Sequence, residues 1–169
     1  GLSNESAWGA MQFLKIATDN GLEKIVSIQN EYSLICRYFD TDLAELCHNE
    51  SLHLLAYSPL AAGLLTGKYQ NGKIPENSRL ELAPDLNGRV NERSIRATKH
   101  YLNIARNFQI HPISMALAFC AQRPFMGSVI FGTTRNEQLK TIIDGLDLEL
   151  SQEILTELNR VHREHPFPM

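Results

Sequence analysis

An α/β fold built on a parallel sheet is what this sequence predicts, and three observations predict it. Short apolar runs alternate with longer stretches of helical periodicity, the pattern of βα units rather than of hairpins. The run Leu52-His53-Leu54-Leu55-Ala56-Tyr57 is mostly apolar at odd and even positions alike, as expected of a strand in a parallel sheet covered by helices. Polar residues collect where the apolar runs end, at Ser3-Asn4, Gln29, Tyr57-Ser58 and Gly132-Thr133-Thr134. Parallel α/β folds bind ligands at those ends, because the loops and helix N-termini that follow supply backbone N–H groups.

Taken in order, residues 1 to 3 are a strand stub, and Asn4 or Ser6 caps a helix over 6 to 20. In that helix Ala7, Trp8, Met11 and Leu14 recur at helical spacing, and Gly21 supplies the stop. Ile25-Val26-Ser27-Ile28-Gln29 has the length and β-branching of a second strand, and Asp40 and Thr41 open a helix carrying Leu43, Ala44, Leu46 and Cys47. The third strand, 52 to 57, stops at Ser58-Pro59. From Ser58 to about Val90 the glycines and prolines interrupt every periodicity, and a loop this long in a compact domain reads as functional. Asn91 caps a helix to about Phe108 with Ile95, Tyr101, Leu102 and Ala105 as its core candidates; Pro112 or Ser114 opens another through Phe119. Ser128 to Phe131 is the fourth strand, with a helix over 136 to 146 after it. Ser151 caps a last amphipathic helix with Ile154, Leu155, Leu158 and Val161 on one face, and the prolines of His165-Pro166-Phe167-Pro168-Met169 end it.

Sixteen Lys and Arg against nineteen Asp and Glu give a net charge of −3, so no basic field for nucleic-acid binding is present. No apolar run approaches the ~20 residues of a membrane span. Cys36, Cys47 and Cys120 are an odd number without a C-x-x-C pair, which points to packing residues in a reducing compartment, the cytoplasm. The six histidines show no pair at ligand spacing with acidic partners, so no metal is implied; His162 and His165 read as solvated. The run Arg89, Arg93, Arg96 and Lys99 reads as a solvated helix face diluted by Glu92.

The motifs are more specific. Gly1-Leu2-Ser3-Asn4 opens the chain; Gln29-Asn30-Glu31-Tyr32-Ser33-Leu34 follows, with Arg37 beyond it. The stretch Ala56-Tyr57-Ser58-Pro59-Leu60-Ala61-Ala62-Gly63-Leu64-Leu65-Thr66-Gly67-Lys68-Tyr69 lies in the middle, then Ser78-Arg79, then Ser128-Val129-Ile130-Phe131-Gly132-Thr133-Thr134 with Gln138-Leu139. In this order they resemble the aldo-keto reductases, most closely their Tas-like bacterial branch, with the potassium-channel β subunits as more distant kin. The resemblance spans the whole chain and implies the C-terminal half of a (β/α)8 barrel over 1–169, with about four parallel strands, flanking helices and a long cofactor loop at 58–90. A complete barrel typically needs ~250 residues. The family's catalytic tyrosine and its lysine, aspartate and histidine partners belong to the first half, so no catalytic residue is expected in this chain, which is expected to be inactive alone.

The resemblance implies NADP as cofactor and assigns residues to it. Asn4 and Gln29, with Ser3 beside them, hydrogen-bond the nicotinamide carboxamide, and Tyr57 stacks on the ring. Ser58, Pro59, Leu60, Ala61 and Gly63 wrap the pyrophosphate, and Lys68 and Arg79 reach the phosphates. Gly132, Thr133, Thr134 and Gln138 receive the adenosine 2′-phosphate. One position departs from the family: Ile142 stands where an asparagine often contacts adenine, and it can pack against that base but cannot hydrogen-bond it. The expected function is reduction of a small aldehyde or ketone by hydride transfer. The alternatives are an NADP-binding regulatory module of the channel-subunit kind, or a truncated chain without function of its own. No nucleic acid or membrane partner is implied, while an isolated half barrel is expected to self-associate through its open edges.

Overall fold

The computed structural model describes residues 1–169. Four strands, β1 (Leu2–Ser3), β2 (Ser27–Glu31), β3 (His53–Tyr57) and β4 (Met126–Ile130), form one sheet in the order β1-β2-β3-β4. Every neighbouring pair is parallel. All four carboxyl ends therefore lie at one end of the sheet. β2 and β4 each begin and end away from the expected bounds, because Ile25-Val26 and Phe131 have strand propensity but no partner in the ladder. At the β3–β4 pair the register shifts after Leu54, so Gly127 has no opposite residue; a Cβ there would lie 2.8 Å from the Cβ of His53.

The helices are α1 (Ala7–Asp19), α2 (Leu43–Glu50), α3 (Arg79–Leu82), α4 (Glu92–Asn107), α5 (Pro112–Ala121), α6 (Asn136–Ile143) and α7 (Gln152–Glu164). Their starts follow from side-chain caps. The hydroxyl of Ser6 accepts from the Gly9 amide, that of Ser151 from the Ile154 amide, and Asn91 and Ser94 form a reciprocal capping box. The segment 58–90 is not a featureless loop: it holds tight turns over Ala61–Thr66 and Gln70–Gly72 besides α3.

One face of the sheet is covered. Leu2, Ile28, Leu54 and Met126 stand opposite one another in the ladder, and Ile28, Leu54 and Ala56 are fully buried beneath the helices. The alternate row, Ser3, Gln29, Leu55 and Ser128, faces outward and is half-buried or exposed. Helices cover a single side, as a half-barrel sheet with helices on its outer face requires, and His53 is exposed. On the helical side Tyr32, Phe39, Phe119 and Phe125 pack edge-on and stacked at 5.1 to 6.5 Å. Beside them the Tyr32 hydroxyl donates to Asp40 Oδ1 (2.8 Å), Arg37 Nε to Asp40 Oδ2 (2.7 Å) and Arg37 Nη1 to Asn159 Oδ1 (3.0 Å), tying α7 to the segment after β2. Among the expected core positions of α4, Tyr101 and Ala105 are buried and Leu102 is half-buried, but Ile95 is 49% exposed, because the inward stripe runs through Ala97, Thr98, Tyr101, Ile104 and Ala105. No helix is long and apolar enough to cross a membrane.

Candidate functional site

At the carboxyl end of the sheet, β1 and β3 send polar side chains toward each other across β2. The Tyr57 hydroxyl donates to Asn4 Oδ1 at 2.7 Å, Asn4 Nδ2 donates to Ser3 Oγ at 3.2 Å, and the Asn4 amide N–H donates to the Gln29 carbonyl at 2.9 Å. Asn4 holds a left-handed backbone, φ +53°, which asparagine tolerates better than most residues and which turns its side chain back over the strand end. Gln29 lies in the row with Ser3 and Leu55, on the sheet's open face. Burial, and after it the Glu31 carboxylate, raises the Tyr57 phenol above its ordinary value, so Tyr57 stays a donor across the neutral range. Ser3, Asn4 and Tyr57 are therefore joined by side-chain hydrogen bonds, and Gln29 joins them through its main-chain carbonyl.

The segment leaving Tyr57 is conformationally strained. Ser58, Ala61, Ala62 and Gly63 all have φ between +48° and +102°, and three of them carry a Cβ. At Gly63 a Cβ would stand 2.8 Å from Lys68 Cε and 3.1 Å from its Nζ, so only glycine lets the lysine fold back over this turn. Lys68 Nζ sits 4.9 Å from the Tyr69 ring centroid, and the side chain makes no ion pair. Pro59 and Ala61 are buried and Leu60 is half-buried against the core. The Ala61 and Gly63 amides donate to the carbonyls of Ser58 (2.8 Å) and Leu60 (2.9 Å), so both N–H groups close turns of their own chain. These five residues thus shape a wall more than they line it with donors.

Arg79 opens α3, exposed and without an ion pair, and touches none of the cluster above. After β4, Gly132 stands in open space, and Gln138 Oε1, in the first turn of α6, accepts from the Thr134 amide (3.0 Å) and hydroxyl (3.3 Å) of the segment leading into that helix. Ile142, on the inner side of α6, is only 2% exposed, so the apolar surface expected to meet a base is not on offer there. Parallel pairing puts this turn at the same end of the sheet as the Asn4–Tyr57 cluster, just beyond Ile130, the ladder partner of Tyr57.

Two residues without an assigned role stand at the centre of this end. Arg89 Nε and Nη2 donate to Glu31 Oε1 (2.8 Å) and Oε2 (2.7 Å), a bidentate pair that corrects the reading of Arg89 as a solvated helix residue. Arg89 precedes α4 and turns inward. Together with Asn4, Asn30, Tyr57 and the C-terminal Met169, the pair lines an open groove of about 520 Å³. Glu31 sits inside the Gln29-to-Leu34 motif, and its proximity to Gln29 is the one signal that pointed here. His165 also departs from the solvated reading: its ring lies 5.0 Å from that of His100, and His162 meets Phe167 edge-on at 5.9 Å. Cys36, Cys47 and Cys120 are buried and unpaired, with burial pushing the Cys36 thiol up to about 12 and that of Cys47 to about 11.

Sequence comparison agrees with the geometry. The profile of the Aldo/keto reductase family matches residues 1–163. Protein tas of Escherichia coli K12 is 44% identical over 168 residues, covering 99% of this chain and 49% of that protein. A protein of Babesia bovis described as an aldo-keto reductase is 35% identical over 96% of this chain and 60% of its own length. A probable voltage-gated potassium channel subunit beta of Arabidopsis thaliana is 32% identical, covering 95% of this chain and 49% of that protein. The chain thus spans about half the length of several curated relatives.

Proposed function

The chain belongs to the aldo/keto reductase family, and on that premise we propose that it is the cofactor-holding, C-terminal half-barrel of an NADP(H)-dependent reductase of small aldehydes or ketones. The observation that carries this reading is the Tyr57–Asn4 hydrogen bond, which brings an amide and an aromatic ring together at the carboxyl ends of β1 and β3, with Gln29 on β2 between those strands. The donors around this end of the sheet suit a dinucleotide in their chemistry. Asn4 gives Oδ1 to Tyr57 and one Nδ2 hydrogen to Ser3, which leaves its second hydrogen and a lone pair to meet a carboxamide, and Gln29 adds a donor and an acceptor. Holding the carboxamide at two points fixes the ring's rotation, and the Tyr57 ring offers a flat face against it. Lys68 and Arg79, both free of carboxylates, supply a point charge and a fork for phosphates. Thr133 and Thr134 ahead of α6, with Gln138 in its first turn, suit a further phosphate.

A nicotinamide held by Asn4, Gln29 and Tyr57 would supply hydride chemistry toward a carbonyl carbon. What this chain contributes is binding and orientation; no acid for the carbonyl oxygen is assigned to its residues. The reading is tested on the intact protein by following NADPH consumption with simple aldehydes and ketones. Turnover that falls with Gln29→Ala supports it, and absence of both turnover and NADPH binding contradicts it. The relatedness to proteins described as potassium channel β subunits favours one other reading, a binding module that holds NADP and serves a partner; NADPH binding without turnover of any carbonyl would select it. The buried, unpaired thiols support a cytoplasmic setting.

A further inference from the structure

The register of the β1–β2 pair goes no further than Ser3 and Gln29, and the last main-chain bond at that end runs from the Asn4 amide to the Gln29 carbonyl. A side chain then takes over the pairing. Asn30 Oδ1 accepts from the Glu5 amide at 3.2 Å and Asn30 Nδ2 donates to the Glu5 carbonyl at 3.1 Å, so one carboxamide takes both main-chain groups of a residue 25 positions away. Opposite residues of an antiparallel ladder exchange their bonds in the same way. Asn30 stands on the face of β2 that buries Ile28, two residues on, while Gln29 stands on the other. The chain beyond the bracket is fixed as well: Glu5 Oε1 accepts from the Ser6 amide at 2.7 Å, and Ser6 Oγ accepts from the Gly9 amide at 3.1 Å to start α1. Asn4 thus lies between an anchored Ser3 and an anchored Glu5, in a left-handed conformation that persists only where the surroundings impose it.

We propose that Asn30 is a positioning residue: its bracket on the Glu5 main chain imposes the left-handed turn at Asn4 and so aims the Asn4 carboxamide, beside Tyr57, at the nicotinamide end of a bound cofactor. The inference rests on the reading of the strand ends as a cofactor site. Without the bracket, Asn4 should fall back to the extended and right-handed conformations that L-residues prefer, and its carboxamide should leave Tyr57. The cofactor would then have to order that amide on binding, which weakens affinity without removing any contact from the finished complex. The effect should stay local. Lys68, Arg79 and Thr134, the residues read as phosphate partners, lie on other elements and make no bond to Asn30 or Glu5.

The test uses the intact protein with Asn30→Ala, Asn30→Asp, Asn4→Gly and the double change Asn30→Ala/Asn4→Gly. Affinities for NADPH and for 2′,5′-ADP, which has no nicotinamide, are titrated, and hydrogen exchange of residues 4–6 is read without ligand. Asn30→Ala should speed that exchange and weaken NADPH about tenfold, while 2′,5′-ADP binds within about twofold of wild type. Asn30→Asp should weaken NADPH at least as much despite its equal size, because a carboxylate cannot donate to the Glu5 carbonyl; a residue that only filled space would tolerate it. Adding Asn30→Ala to Asn4→Gly should cost little more, since glycine has no carboxamide to aim, whereas a direct contact of Asn30 with the cofactor would add in full. The proposal is overturned by an Asn30→Ala protein that binds NADPH within about twofold of wild type, that loses NADPH and 2′,5′-ADP alike, or whose loss adds in full to that of Asn4→Gly. Unchanged exchange at residues 4–6 would remove the bracket by itself. A wild type that binds neither NADPH nor 2′,5′-ADP would instead overturn the cofactor reading, and the aiming role with it.

Discussion

Tyr57 does two things with two parts of one side chain. Its hydroxyl orients Asn4, and its ring closes one side of the groove. The parts can be separated. Tyr57→Phe keeps the ring and frees Asn4, and cofactor affinity should fall by about 0.5 to 1.5 kcal/mol, the worth of one hydrogen bond. Tyr57→Ala removes the ring as well and, on the stacking reading, should cost about 1 to 3 kcal/mol more. Isothermal titration of NADPH into the three proteins checks this, and equal losses for both variants would deny the ring a role. Ser3, Asn4, Gln29 and Tyr57 were legible in the sequence because each ends an apolar run, and strand ends converge in a parallel sheet. Glu31 and Arg89 were not, because nothing local marks two charges 58 residues apart as partners. Ile142 was misread for a related reason: identity at a family position says what could touch a ligand, while burial decides whether it can.

Elements were legible where a side chain caps them. Ser6, Asn91 and Ser151 announce the starts of α1, α4 and α7, and all three accept the amide bonds that caps require. Asn91→Ala should lower stability by about 1 kcal/mol, read as a shift in the denaturation midpoint with an unchanged slope. Strand bounds were less legible, since pairing, not propensity, sets them. The turns within 58–90 were hidden because left-handed residues such as Ala61 and Ala62 have no sequence signature. The C-terminal tail was read only as non-helical, yet Phe167 stacks on Tyr38 at 4.4 Å and Arg93 Nη2 donates to the Pro166 carbonyl at 2.9 Å. Two histidines hold this tail. Burial lowers both His162 and His165 below 6.5; His100, Arg96 and Arg93 add to the effect at His165 and Arg37 at His162, against Glu164 and Asp40. The folded chain then binds fewer protons than the unfolded one, so stability is full above about 6.5 and is lost as pH falls through the lowered values. Melting temperature should drop more between about pH 7.5 and pH 5.5 for wild type than for His162→Gln/His165→Gln.

The whole molecule presents a sheet clothed on one face. β1 and β4 each pair on one side only, and Val26, Ile130 and Trp8 (75% exposed) lie in the open. Unpaired edges and apolar patches drive association, so the 169-residue chain expressed by itself should sediment as dimers or larger species, and a monodisperse monomer would contradict this. The fold class followed from alternation and runs of apolar residues, whereas the single covered face depends on which elements surround the sheet, a property no strand carries in its own sequence. The account stands or falls on whether these strand ends hold NADP. Its most direct test is fluorescence titration of NADPH and NADH into the intact wild-type protein, Gln29→Ala and Thr134→Ala. NADPH should bind about one to two decades more tightly than NADH; Gln29→Ala should weaken both alike, and Thr134→Ala should narrow the gap. Equal affinities in the wild type, or a Gln29→Ala protein that binds as well as wild type, would contradict the assignment of the site.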